Sequence, residues 1–164
     1  MVPIAIWGHK LDSDSLFAAV KLVVMLTNSH ELVVEACYLY CFAIQQLING
    51  KTATEAFNLT KEESERRANI TGLSTIKYWI ENDIEASSET EEMPNPHYRP
   101  ISYIKVSFLW SFYYLRNNKT YEEAVKDIIS RGGDTRNNAA IVGALIGAAH
   151  GISEEEILSF EGKD

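Results

Sequence analysis

The chemistry available to this chain is concentrated in one stretch, Arg131-Gly132-Gly133-Asp134-Thr135-Arg136-Asn137-Asn138, a polar cluster between two segments of helical spacing. The paired glycines allow positive φ and close backbone approach. Asp134 stands where a helix N-cap belongs, able to accept from an otherwise orphan backbone N–H. A capped helix start is the plainer reading of this turn. The sharper one comes from the segment behind it: Ala140, Gly143, Ala144, Gly147 and Ala148 run down one side, with Ile141, Val142, Leu145 and Ile146 down the other. Small residues four apart let helices approach closely, which should set Asp134 deep among its neighbours, where a carboxylate needs a cation or several donors. Arg136 falls in the first turn, where the helix dipole disfavours a positive charge by about 0.3–1 kcal/mol. An anion should offset that cost, either Asp134 itself or a ligand.

Other reactive residues offer less. His9, His30, His97 and His150 lack partners at metal or nucleophile spacing and read as surface or capping residues, with His150 complementing a helix C-terminal dipole. Glu31 and Glu35 lie one turn apart and read as a solvated edge. Cys37 and Cys41 sit one turn apart in an apolar stretch and read as small buried hydrophobes in a reducing compartment. The sequence contains neither a nucleophile triad nor a phosphate-cradling P-loop.

The elements that must position the turn are helical throughout. Asp12 to Thr27 carries Leu16, Ala19, Val20, Val23 and Val24 on one face, while Leu22, Met25 and Leu26 make the other side apolar, predicting a central helix. Glu31 to Asn49 repeats the pattern until Gly50. Thr52 with Glu55, and Thr120 with Glu123, read as capping boxes. Between them, Lys61 to Arg67 reads as a solvated face. Leu73, Ile76, Ile80 and Ile84 mark another helix. Residues 87–100, with their glutamates and three prolines, read as a loop and as the best candidate for disorder. An aromatic helix from Ile101 to Leu115 reads as core, and Tyr121, Ala124, Val125, Ile128 and Ile129 give the next helix its buried face. The fold class expected is all-α, a compact multi-helix bundle forming one domain over 1–164.

Composition closes off several functions. With 164 residues, 46% hydrophobic, the chain can bury a core, and a net charge of −8 argues against nucleic acid and anionic membrane surfaces. No uninterrupted apolar run reaches the roughly 18 residues of a spanning helix. Met1 to Gly8 lacks the charged and small-residue features of a secretory signal, so a cytoplasmic setting is expected.

The run Gly132-Gly133-Asp134-Thr135-Arg136-Asn137-Asn138-Ala139-Ala140-Ile141-Val142-Gly143-Ala144-Leu145 resembles the motif of the ADP-ribosylglycohydrolase family, Gly-Gly-Asp-Thr-Asp-Thr followed by Ala-Ala-Ile-x-Gly-Ala-Leu. Thr120 to Val125, Ser102-Tyr103-Ile104-Lys105, Pro3 to Trp7, Leu26 to His30 and Glu35-Ala36 look like further family stretches. The resemblance implies an all-α, magnesium-dependent hydrolase of ADP-ribosyl glycosidic bonds, with two metals held between carboxylates of both halves of the family's chain. It also implies that Gly132, Gly133, Thr135, Arg136 and Tyr103 face the substrate. Asp134 and Asn137 would be the remnant of the metal site, while the catalytic residues stay unassigned.

The departures shape what to expect. The family's glycine-rich opening and its Thr-Asp-Asp ligands have no counterpart, so the chain resembles an N-terminally truncated member. The motif's second aspartate is Arg136, the following threonine is Asn137, and Ser102 replaces a glycine. At an effective dielectric near 20, like charges about 4 Å apart repel by about 4 kcal/mol, and a dication doubles that. Magnesium binding should therefore be reduced or lost, with Arg136 pairing with Asp134 in the metal's place. Three functions are compatible with this pattern: a divergent member that binds ADP-ribose, an ADP-ribosylated protein or another partner; a hydrolase completed by self-association or a complementing chain; or a structural helical module.

Overall fold

The longest apolar segment forms the centre. In the computed structural model, which describes residues 1–85, 87, 93–97, 100 and 102–151, α3 spans Glu31–Ile48 and buries Tyr38, Leu39, Cys41, Ala43 and Ile44 almost completely. Around it stand α1 (Val2–Trp7), α2 (Ser13–Met25) and α4 (Ala53–Thr71), then α5 (Thr75–Tyr78) running into a π-helical turn at Trp79–Ile84. The second half supplies α6 (Ile104–Arg116), α7 (Tyr121–Ser130) and α8 (Thr135–His150). No strand occurs among the described residues, so the fold is all-α as expected. By length and hydropathy α3 is apolar enough to cross a membrane, yet 67% of it is buried inside the bundle, the signature of a core helix.

Local signals hold where they are strongest. Thr52 Oγ1 accepts from the Glu55 N–H while Glu55 Oε2 accepts from the Thr52 N–H, and Thr120 and Glu123 repeat the exchange. Gly50, just past α3, takes φ +85. The aromatic residues of α6 are core: Phe108, Trp110, Phe112, Tyr113 and Tyr114 are all buried. Burial also pushes the Cys41 thiol up to about 12.

Four expectations are corrected. α2 is peripheral, burying Leu16, Val20 and Val24 but leaving Leu22 73% and Leu26 82% exposed along with Met25. The face from Lys61 to Arg67 is not wholly solvated, for Glu63, Ser64 and Arg67 are buried. Glu35 is no solvated edge either: its carboxylate accepts Arg67 Nε at 3.1 Å and Nη2 at 2.5 Å, with the guanidinium 3.6 Å from the Phe17 ring centroid. Tyr38 Oη donates to Glu63 Oε1 at 2.6 Å. α4 lies over α3, where Glu63 and Arg67 meet their partners Tyr38 and Glu35, while Ser64 Oγ donates to the Lys61 carbonyl of its own helix. On α7 only Ala124 and Ile128 are fully buried, Ile129 being 48% exposed. Tyr121, half-exposed, lays its ring on the small-residue side of α8, where a Cβ on Gly143 would stand 3.4 Å from it.

The stretch expected as a disordered loop is only partly described, since residues 88–92, 98 and 99 lie outside, as does Ile101. Its described part is anchored. Met93 and Pro96 are buried, and Trp110 Nε1 donates to the Pro94 carbonyl at 2.9 Å. The Arg131 guanidinium covers Trp110 at 4.3 Å and is held by Asp127.

Candidate functional site: a cleft where three helices begin

The turn before α8 is shaped by its two glycines. Gly132 has φ +74 and Gly133 φ +69, the left-handed region that L side chains rarely adopt. A Cβ on Gly133 would lie 2.1 Å from the Pro96 carbonyl oxygen, and one on Gly132 2.7 Å from His97 Nε2. The close approach these glycines permit is therefore to the chain's own segment 93–97, which covers them.

Asp134 comes next as the N-cap residue of α8, but its side chain makes no capping bond. Its Oδ2 accepts Ser102 Oγ at 2.8 Å and Asn137 Nδ2 at 2.9 Å. The Asn137 amide first, and the Ser102 hydroxyl second, hold this carboxylate below its usual range. Asp134 does not lie deep among helices, because it lines an open cleft. Nor does Arg136 pair with it. Arg136 is exposed on the solvent side of the first turn and forms no ion pair among the described residues, which leaves its charge only a minor influence on Asp134.

The cleft measures about 480 Å³. Its walls come from Asn28 and His30 before α3, from Ser102, Tyr103 and Ser107 around the start of α6, and from Asp134, Asn137 and Asn138 at the start of α8. Asn138 is only 4% exposed, and its Nδ2 has no acceptor among the described residues. Next to the cleft lies an apolar recess of about 280 Å³, walled by Val2, Cys37, Tyr40 and Phe108 and sharing Ile104, Ser107 and Ile141 with it. Tyr40 Oη ties the two walls together by donating to the Ile141 carbonyl at 2.7 Å.

The family model for ADP-ribosylglycohydrolase matches residues 1–157, from α1 to beyond α8. The chain belongs to the ADP-ribosylglycohydrolase family. No curated protein and no solved structure matches it.

ADP-ribosylglycohydrolases are generally metal-dependent, so the donor set of the cleft has to be weighed against that need. Hard dications such as magnesium want near-octahedral oxygen coordination. Among the described lining residues Asp134 is the one carboxylate, and two donors already point at its Oδ2. Asn137 turns its NH₂ group, not its amide oxygen, toward that carboxylate. No group of three or more His, Cys, Asp or Glu residues able to hold a metal occurs among the described residues. This donor set does not fit a pair of magnesium ions.

Of the residues expected to form the ADP-ribosylglycohydrolase site, Tyr103, Asp134 and Asn137 line the cleft together. Gly132 and Gly133 lie beneath segment 93–97, Thr135 sits half-buried with its hydroxyl 3.5 Å from the Gly133 carbonyl, and Arg136 faces solvent. Asn28, His30, Ser107 and Asn138 went unassigned as site residues. A signal for Asn138 exists in the sequence: it heads the buried row Val142, Leu145 and Ile146 of α8, at the i, i+4, i+7, i+8 spacing where an apolar residue is expected.

Proposed function

We propose that this chain is a divergent ADP-ribosylglycohydrolase that holds ADP-ribose, or the ADP-ribosyl group of a modified protein, in the cleft between α3, α6 and α8 without hydrolysing it through a binuclear magnesium centre. The observation that carries this reading is the state of Asp134: the one carboxylate among the described lining residues, engaged by Ser102 and Asn137, with Arg136 exposed to solvent. Hydroxyl and amide groups suit the hydrogen-bonding edges of a ribose, and the neighbouring apolar recess suits a planar base. Two free cysteines, one buried and one half-buried, agree with a reducing cytoplasmic setting.

A second reading is a hydrolase completed by another chain or a second copy. It is favoured by the exposure of Trp7 (67%), Leu22 and Leu26, large apolar side chains of the kind a partner would cover. Calorimetric titration with ADP-ribose, combined with a magnesium-dependent assay of ADP-ribose release from modified arginine and serine, separates the two. Binding without turnover is the expected result. Turnover by the purified lone chain would refute the first reading, and so would a failure to bind ADP-ribose at millimolar concentration.

A further inference from the structure

Another cavity, of about 470 Å³, lies between α2, α3 and α4 and shares no lining residue with the cleft. Its volume is within the usual range of small-molecule sites. α3 enters it through Glu31, Val34 and Glu35, whereas the cleft uses Leu32 and Val33. Phe17, Val34 and Leu73 give it apolar walls, and Met25 and Ile70 leave 50% and 61% of their surface exposed beside them. Its charged centre is Arg67, more than nine-tenths buried. The guanidinium gives Nε and Nη2 to Glu35 and lies 3.6 Å from the Phe17 ring centroid, which fixes its orientation. The third nitrogen, Nη1, meets no partner among the described residues and is not closed off from solvent. Because so little of Arg67 is exposed, that opening is into the cavity it lines. Two N–H donors on a fixed charged group therefore remain for a ligand.

The other charges of the lining decide the sign of that ligand. Lys21 contributes an exposed ammonium with no ion pair among the described residues. Glu35 is matched by Arg67, and Glu31 stands in the first turn of α3, where the helix dipole offsets a negative charge. The charge left unanswered is positive. We infer that this cavity binds a carboxylate with an apolar body, its oxygens on Arg67 Nη1 and Lys21 and its chain against Phe17, Met25, Ile70 and Leu73. A small anion would leave Met25 and Ile70 in water, and an apolar molecule without an acceptor would desolvate Nη1 with nothing in exchange. The hydrogen bond to Nη1 is charge-assisted, and the guanidinium is already held by Glu35 and Phe17, so little side-chain freedom is lost on binding. This site is independent of the ADP-ribose cleft.

The test is calorimetric titration of the full chain with octanoate, and with 1-octanol as the uncharged analogue of equal chain length. Octanoate should bind with a Kd below about 1 mM, as its size allows. Octanol should bind at least about 10-fold more weakly, because it brings no charged acceptor to Nη1. Glu35→Leu with Arg67→Met removes the donors together with their counterion, and should bring octanoate down to the level of octanol while leaving octanol unchanged. Lys21→Gln should weaken octanoate by about 2–5-fold and leave octanol alone. Met25→Glu should weaken both. Lys21 and Met25 are exposed, so these two single variants decide the matter even if the double variant does not fold. Adding ADP-ribose should leave octanoate binding unchanged. Equal affinity for octanoate and octanol, no octanoate binding at about 10 mM, or wild-type octanoate affinity in these variants overturns the assignment. Competition by ADP-ribose also overturns it, by placing octanoate in the cleft.

Discussion

Replacing Gly133 by alanine tests the geometry that sets the entrance of α8. Two costs add at this position. The left-handed backbone at φ +69 disfavours a Cβ by about 1–2 kcal/mol. The Cβ would also meet the Pro96 carbonyl oxygen at 2.1 Å and its carbon at 2.5 Å, so segment 93–97 or the turn must shift, an overpacking cost of about 1–3 kcal/mol. Gly50 is the control, with φ +85 and nothing within 4 Å of an added Cβ, so that only the backbone cost applies. The gain in unfolded-chain rigidity is common to both substitutions and cancels in the comparison. For a chain of this size each 1 kcal/mol moves the melting temperature by about 2–4 °C. Gly133→Ala should therefore lower Tm by roughly 4–20 °C, and Gly50→Ala by roughly 2–8 °C. Thermal melts monitored by circular dichroism measure both. Equal losses would refute the claim that segment 93–97 packs onto the glycine pair.

Three other outcomes rest on named contacts. Glu35→Ala leaves the Arg67 guanidinium buried beside Phe17 without its counterion and should cost about 3–5 kcal/mol in urea unfolding, whereas the double replacement Glu35→Leu with Arg67→Met should recover most of it; a double variant as unstable as the single one would contradict this. Burial pushes the Asp127 carboxyl up, but hydrogen bonds from Arg131 and Tyr114 outweigh it and hold the folded group below its ordinary value. The stabilisation is then complete above the unfolded pKa of about 3.9 and is lost as pH falls through the lower folded value, so the destabilisation by Asp127→Asn should be present at pH 7 and shrink below about pH 4. A penalty independent of pH would show the charge to be irrelevant. Arg136 faces solvent and influences Asp134 only weakly, so Arg136→Asp should change magnesium affinity less than about threefold by calorimetry; a large gain would show that residue 136 reaches the Asp134 carboxylate.

What the sequence disclosed was local. Thr52 with Glu55 and Thr120 with Glu123 act within one turn, so their capping boxes could be read directly. The aromatic register of α6 likewise repeats at helical spacing and ended in the core. Long-range partners were hidden. Glu35 and Arg67 lie 32 residues apart, and each alone looked like a surface charge. Leu22, Met25 and Leu26 have core composition but stand on the outer side of α2, because apolarity marks a face without saying whether a neighbour covers it. Trp79 to Ile84 keeps the apolar spacing of an α-helix while adopting a π-helical turn. At the site, adjacency in the motif suggested that Arg136 would meet Asp134, yet the helix start sends the two side chains to different places. Ser102, 32 residues upstream, meets Asp134 instead.

The most direct measurement is an anomalous-scattering crystal structure of the protein grown with ADP-ribose and manganese. ADP-ribose in the α3–α6–α8 cleft, with no metal pair at Asp134, is the expected result. Two manganese ions coordinated by Asp134, with Arg136 still directed into solvent, would contradict it.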